Sequence, residues 1–287
     1  MGPHAPTSLP VASMRGALRV GPGFSLEDLD PRSTPGFTGT KEDAEEAMPD
    51  IQRQLGSLQE RLFAQSREGA ERSVLLMVQG MDTSGKGGIM RHVVGALDPQ
   101  GVHYHAFKAP TKEELSHHFL WRVTKALPGP GLVGVFDRSQ YEDVLIVRVH
   151  NLVPGDAWSG RYDEINAWEE DIVESGTQMV KVMLHISHEE QRSRLGERLD
   201  RPDKYWKFNP GDIDERAHWA AYMTAYQAAL EKCSTEVAPW YVVPADRKWF
   251  ARYAVSRLLL ETLEAMNPTW PPAAFDIDEQ RRRLAAT

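Results

Sequence analysis

A nine-residue stretch, Gly80-Met81-Asp82-Thr83-Ser84-Gly85-Lys86-Gly87-Gly88, constrains this chain more than any other. It follows the apolar run Ser73–Gln79 (SVLLMVQ), which reads as a buried parallel strand, and leads into residues able to continue as a helix. The spacing, Gly80 then four residues then Gly85-Lys86, is that of a phosphate-binding loop. Glycines let successive N–H groups turn inward, the helix N-terminus adds partial positive charge, and Lys86 can bridge phosphates. Gly80, Met81, Thr83, Ser84, Gly85, Gly87 and Gly88 are therefore expected to cradle phosphate oxygens, the alternative being a structural glycine turn. Position 87 is Gly where the common pattern has a Ser or Thr hydroxyl for magnesium, so the metal needs another oxygen. Asp82 is the candidate, because a carboxylate beside phosphates is repulsive unless a cation lies between them; a solvated loop aspartate is its plainer reading.

Strand and helix signals alternate through the rest of the chain. Further short strands are expected at Val102–Phe107, Leu132–Phe136, Met179–Ile186 and Trp240–Val243. Helices are expected from Lys41 with Thr40 as N-cap, and over 86–97, 111–126, 162–174, from Ser187 as a cap, over 212–231 and over 248–265. This alternation predicts an α/β fold with a parallel five-stranded sheet and helices on both faces, a three-layer sandwich. Residues 1–40, rich in Pro, Gly and Ser, are expected to form an extended arm over a neighbouring element or subunit. One domain is expected over 41–267, with a lid at about 188–218, and a Pro-rich, then basic, tail over 268–287.

The third strand ends in Asp137-Arg138-Ser139-Gln140-Tyr141-Glu142-Asp143. Ligands of open α/β sheets lie at the carboxyl ends of strands, so Asp137 is expected to face Asp82 across magnesium, with Arg138 spreading charge on a transferring phosphoryl group. Glu142 and Asp143 read equally as members of the site or as capping and ion-pair residues. The segment Gln191–Lys207 carries six basic residues, among them Arg194, Arg198, Lys204 and Lys207, followed by Asn209-Pro210-Gly211. A basic, interrupted segment suits a lid that neutralises phosphate and excludes water; an ordinary solvated helix is the alternative. His103, His105, His117 and His118 match no metal-ligand spacing. The aromatics at 205, 206, 219, 222 and 226 read as packing, one of them available to stack on a base.

Composition removes several classes. A net charge of −8 argues against general nucleic-acid binding, although a local basic patch can still meet a polyanion. No apolar run is long enough to span a membrane, and the start shows no signal peptide. A single cysteine, Cys233, excludes an internal disulfide and reads as a small buried side chain. These features point to the cytoplasm.

The motifs GMDTSGKGG, FDRSQYEDVLIVRV and EQRSRLGERLDRPDKYWKFNPGDIDERAHWAAY, with APWYVVPADRKWF near the end, resemble the polyphosphate kinase 2 family over about Leu18–Glu264. LRV…DLDPRSTPGF and KAPTKEELSHHFLWR resemble its polyphosphate:nucleotide phosphotransferase branch, with departures at Gly87, where Asp is common, and at Asp137, where Asn is. The resemblance implies a P-loop kinase-like fold with a helical lid, Mg2+ dependence and a homo-oligomer, a dimer or tetramer. It also implies reversible transfer between inorganic polyphosphate and nucleotides (AMP, ADP/ATP, or GMP, GDP/GTP). Asp82, Lys86, Asp137 and Arg138 would act at the transfer site and Arg194, Arg198, Lys204 and Lys207 on phosphates. Two other readings stay open: an ATP-dependent nucleotide kinase and a non-catalytic P-loop nucleotide sensor.

Overall fold

The five apolar runs all become strands, and all of them pair in parallel. The computed structural model describes residues 13–287; residues 1–12, which hold the start of the expected arm and part of the stretch read for a signal peptide, lie outside it. In chain order the elements are α1 (Met14–Leu18), α2 (Lys41–Ser66), β1 (Ser73–Gly80), α3 (Lys86–His92), β2 (Val102–Ala106), α4 (Lys112–Leu115), α5 (Trp121–Lys125) and β3 (Val133–Asp137). They continue with α6 (Ile146–Val149), α7 (Gly155–Glu174), β4 (Thr177–His185), α8 (His188–Asp200), α9 (Gly211–Arg216), α10 (Trp219–Cys233), β5 (Trp240–Pro244), α11 (Lys248–Met266) and α12 (Ile277–Ala285).

The strand order is β2-β3-β1-β4-β5. The chain therefore builds one half of the sheet with β2 and β3, then crosses β1 to build the other half. A crevice opens above the carboxyl ends at such a reversal, and this is where open α/β sheets hold ligands. The loop after β1 and Asp137 at the end of β3 both lie there.

Side chains alternate across the sheet with a period of two. Val74, Leu76 and Val78 of β1 pack with Leu55 and Leu62 of α2, Ile89 of α3 and Leu258 of α11. Leu75 and Met77 point the other way, toward Val123 of α5 and Ile172 of α7. That second layer continues over β4 and β5, where Met183 and Trp240 meet Ile165 of α7 and Ala225 of α10. Helices thus cover both faces, giving the three-layer α/β sandwich. Cys233 lies in this layer, its thiol pushed up to about 12 by burial. Among the described residues, no helix is long and apolar enough to cross a membrane.

Several helix expectations need correction. The one expected over 111–126 is two short helices, because Ser116 ends α4 by turning its hydroxyl onto Glu113 O (2.7 Å). The one over 212–231 divides at His218, which leaves its helix to pack on His150. The helix over 86–97 stops at His92 and gives way to a 3-10 turn, Val94–Ala96, where Gly95 weakens helix formation. α7 starts seven residues before the expected Tyr162, with Pro154-Gly155 as its entry rather than a turn.

Nor is the arm merely extended. Glu261 of α11 accepts bonds from Ser13 Oγ (2.8 Å), Met14 N (2.9 Å) and Arg15 N (3.1 Å), so a carboxylate satisfies the open N-terminus of α1. Residues 19 and 20 then run along the outer edge of β5, through an Arg19–Tyr241 bridge and Val20 N to Trp240 O (2.9 Å).

The sequence signals did not reveal one core feature. Lys181 of β4 is fully buried and spends its three N–H bonds on Glu169 Oε2 (2.5 Å), Cys233 O (2.6 Å) and Tyr141 OH (3.0 Å). Glu169 Oε1 accepts from Tyr141 OH (2.8 Å) and Gln140 Nε2 (2.9 Å), which pins the 3-10 turn Gln140–Asp143 to α7. Replacing Lys181 with Met should cost roughly 3–5 kcal/mol of stability by stranding a buried carboxylate. Adding Glu169→Leu should restore most of that loss. Denaturant melts of the two variants check this; a double variant no more stable than the single contradicts it.

Candidate active site

The loop conformation follows from its glycines. Gly80 has φ 148°, and a Cβ there would lie 2.7 Å from both Leu184 O and Ser84 Oγ, so no other residue fits. Thr83 (φ 64°) and Gly85 (φ 115°) supply two left-handed positions that turn the backbone before α3. Thr83 Oγ1 and Ser84 Oγ are buried without a protein partner. Lys86 Nζ reaches back to Gly80 O (2.7 Å) and Met81 O (3.3 Å). Burial lowers its pKa, against the opposing pull of Asp82 and, less strongly, Asp137 and Glu142.

The β3 tail closes the other wall. Arg138 is itself left-handed (φ 68°), with its N–H on Val78 O (3.1 Å), and this turn carries its guanidinium to Asp82 Oδ1 (3.1 Å). Burial alone would depress its pKa, but Glu142 and Asp82 outweigh that and raise it. Glu142 has its own pKa raised by burial, against the pull of Arg138 and Lys86. With its amide oriented to suit both neighbours, Gln79 donates to Glu142 Oε1 (3.1 Å) and accepts from Ser139 N (3.0 Å). Asp143 turns elsewhere, onto Arg161 (2.9 Å), and burial pushes its carboxyl up to about 6.

Asp82, Lys86 and Asp137 line one cavity of about 340 Å³ together with Gly87 and Gly88. Arg198, Lys204 and Lys207 of the lid face the same cavity. A second cavity of about 220 Å³ lies on the α11 side of the loop and shares those three lid cations. Among the described residues no group of three or more His, Cys, Asp or Glu side chains could hold a metal. Mg2+ does not need one: it is usually held by one or two carboxylates, its remaining ligands being waters and substrate phosphates. Two carboxylates facing one phosphate-sized cavity fit that ion, with Asp82 Oδ2 left available while Oδ1 meets Arg138.

Arg194 lines the second cavity, yet its side chain is spent within the protein. Its Nε donates to Glu190 (2.7 Å), Nη1 to Thr83 O (2.9 Å) and Ser84 O (3.0 Å), and Nη2 to Ala245 O (2.6 Å) and Asp246 O (3.1 Å). All five N–H groups are used inside the protein, so Arg194 braces the loop and leaves nothing for a phosphate. Gln191 adds a second brace, onto Asp82 O (3.1 Å). Arg198, Lys204 and Lys207 do face the cavities.

Other residues went unnoticed in the sequence. Arg91 and His92 at the end of α3 and Arg252 of α11 line the first cavity; Arg252 and Lys248 line the second. Their only sequence signal was charge on helices, which solvated faces also carry. Tyr226, read as packing, is buried with its hydroxyl pKa raised well above normal by burial and by Glu142. Tyr222 donates to Glu215 (2.8 Å), which also pairs with His150 (3.0 Å) and so fastens the base of the lid.

In sequence and fold the chain is similar to known proteins. Residues 38–271 match the family model described as polyphosphate kinase 2. An AMP/ADP-polyphosphate phosphotransferase of Meiothermus ruber is 45% identical over 248 residues, covering 86% of this chain and 91% of that protein. An ADP-polyphosphate phosphotransferase of Rhodopseudomonas palustris is 42% identical over 268 residues, covering 88% and 91%. The crystal structure of polyphosphate kinase 2 from Arthrobacter aurescens TC1 superposes with a TM-score of 0.95 at 53% identity, over 96% of this chain and 98% of that one.

The two lid arginines should part company on mutation. Arg194→Met leaves buried carbonyls unpaired and should cost roughly 1–3 kcal/mol of stability along with phosphate affinity. Arg198→Met should weaken phosphate binding with a smaller loss of stability. Thermal melts beside phosphate titrations decide this; equal destabilisation by both changes would remove the distinction.

Proposed function

This chain belongs to the polyphosphate kinase 2 family, and on that premise we propose that it transfers phosphoryl groups reversibly between inorganic polyphosphate and AMP or ADP. The observation that carries the reading is the run of cations beyond the loop. Lys86 faces a first cavity with Arg198, Lys204, Lys207 and Arg252, and the cations continue into a second through Lys248, which pairs with the one acid lining it among the described residues, Glu197 (3.3 Å). That is more positive charge, over a longer path, than a single triphosphate needs, and it supports a linear phosphate chain threaded between lid and α11. The polyphosphate-phosphotransferase names of the relatives support the same substrates.

Phosphoryl transfer depends mainly on positioning and charge neutralisation. An acceptor phosphate oxygen approaches the terminal phosphorus of the chain in line, and the bond from that phosphorus to the bridging oxygen breaks, releasing a chain one phosphate shorter. Lys86 and the inward N–H groups of the loop hold the transferring group, while Arg138 and Arg198 spread charge from its equatorial oxygens. Glu142 keeps Arg138 aimed, and Gln79 and the buried Glu169–Lys181 pair behind the turn keep Glu142 in place. Asp82 and Asp137 would hold Mg2+, which when bound neutralises phosphate charge and ties donor to acceptor. Every acceptor contact named here is to phosphate, so GMP and GDP are proposed as acceptors too. The family resemblance also supports a homo-oligomer, dimer or tetramer, in the cytoplasm. The net charge of −8 supports neither nucleic acid nor a membrane surface as partner.

Purified protein given polyphosphate with AMP, ADP, GMP or GDP, and no ATP, should yield the next higher nucleotide. Chelation of Mg2+ should stop turnover, and Lys86→Met should lower kcat by about 10²–10³-fold. Product formed only when ATP is supplied identifies an ATP-dependent nucleotide kinase instead; nucleotide binding with no turnover identifies a sensor.

A further inference from the structure

The cations around the first cavity fall into two groups. On the lid side, Arg198 pairs with Asp212 (3.2 Å) and Lys204 with Asp203 (3.7 Å). On the opposite wall, Arg91 and His92 in the last turn of α3 stand with Arg252 of α11. Among the described residues, neither arginine of this second group makes an ion pair or a side-chain hydrogen bond. The acid whose charge acts on Arg252 is Glu45 of α2, which already pairs with Lys41 (3.6 Å). Burial, then Arg252 and Arg91, lower the pKa of His92, and burial and Arg91 lower that of Arg252. The dipole at the end of α3 favours cations there, but it does not call for a third brought against them from another helix.

The way from the loop to this group is bare of side chains. Gly87 and Gly88 form the first turn of α3. A Cβ at Gly87 would meet nothing within 4 Å, and one at Gly88 would meet only Arg252 Nε, at 4.0 Å. Arg91 follows these glycines by four and three residues, so it lies on the same face of the helix. We propose that Arg91 and Arg252, with His92 beside them, form a distal subsite for the phosphate chain, on the α3–α11 side of the loop, which only long chains reach. The proposal rests on the polyphosphate reading above. The transfer site contributes equally to every chain that fills it, whereas the distal cations add affinity only for chains that extend to them. Pyrophosphate seated on Lys86 and the loop ends short of Arg91, which stands five residues, about 7.5 Å of helix rise, further on. Neither arginine touches the transferring phosphorus, so both determine specificity without being catalytic.

Arg91 is exposed, so its replacement tests binding rather than folding. Arg91→Met and Arg91→Lys are assayed beside the wild type with ADP and long-chain polyphosphate, with pyrophosphate as competing inhibitor. Arg91→Met should raise the KM for long chains roughly fivefold, as for loss of one partly exposed charge contact, and leave the inhibition constant for pyrophosphate unmoved. Arg91→Lys should recover most of the long-chain KM. Arg282→Met removes the same charge from α12, which lines neither cavity, and should move neither constant. An equal loss for pyrophosphate and long chains places Arg91 in the transfer site and overturns the distal subsite. An unmoved long-chain KM, or the same effect from Arg282→Met, overturns it too. Should the wild type fail to turn over polyphosphate at all, the substrate reading falls. Calorimetric titration with each anion then still decides the subsite, since Arg91→Met must weaken long chains and spare pyrophosphate.

Discussion

A cation withdrawn from water needs an acceptor, and the rest of this site is arranged around that requirement. In this structure Lys86 rests on two loop carbonyls, Arg138 on Asp82, and Arg198 on Asp212 and a backbone carbonyl. The site compensates its own charge. On the reading proposed above, a phosphate would compete with these acceptors, so the net gain per phosphate would be smaller than a count of cations suggests. Arg194 shows the limiting case, all five of its N–H groups being spent inside the protein, so that it is part of the scaffold.

The fold holds the walls of this site from behind. The loop and the β3 tail are fixed from behind, the first by Arg194 and Gln191, the second by the buried Lys181–Glu169–Tyr141 network. The strand order places both at the crevice where the sheet reverses direction. The lid presents its aromatic tip to solvent, with Trp206 78% exposed, while its base is tied to the loop by Arg194 and Gln191 and to Tyr222 and His150 by Glu215. Precision on one side and freedom on the other is the division of labour that phosphoryl transfer asks for.

Much of this was legible in the chain, for reasons that differ between parts. Apolar runs four to eight residues long bounded by turn signals identified β1, β3, β4 and β5, because a buried parallel strand leaves little choice of residue; β2, a half-exposed edge strand with two histidines, was legible without that constraint. The loop was legible because its chemistry is local: left-handed glycines, a helix N-terminus and a lysine all fall within nine residues. Asp137 and Arg138 followed from their position at a strand end. The breaks at Ser116 and His218 were not legible, since each depends on a side chain finding a partner that the helix pattern does not reveal. Arg194 and Arg198 look alike in sequence, four apart on one basic helix. Only tertiary structure engages all five N–H groups of the first within the protein and only Nη1 of the second. Arg91 and Arg252 are charges on separate helices that only the packing of α3 against α11 brings together.

The arm has a consequence for how the molecule comes into being. Met14 is joined to Glu261 across 247 residues, and Val20 lies against Trp240. Both partners lie far downstream in the chain, so this segment cannot dock until they have been made. Closing so distant a contact is slow, and in the interval the outer edge of β5 stands open to pairing with another chain. Completion of the sheet edge is therefore a late checkpoint, one that an interrupted or truncated translation product cannot pass.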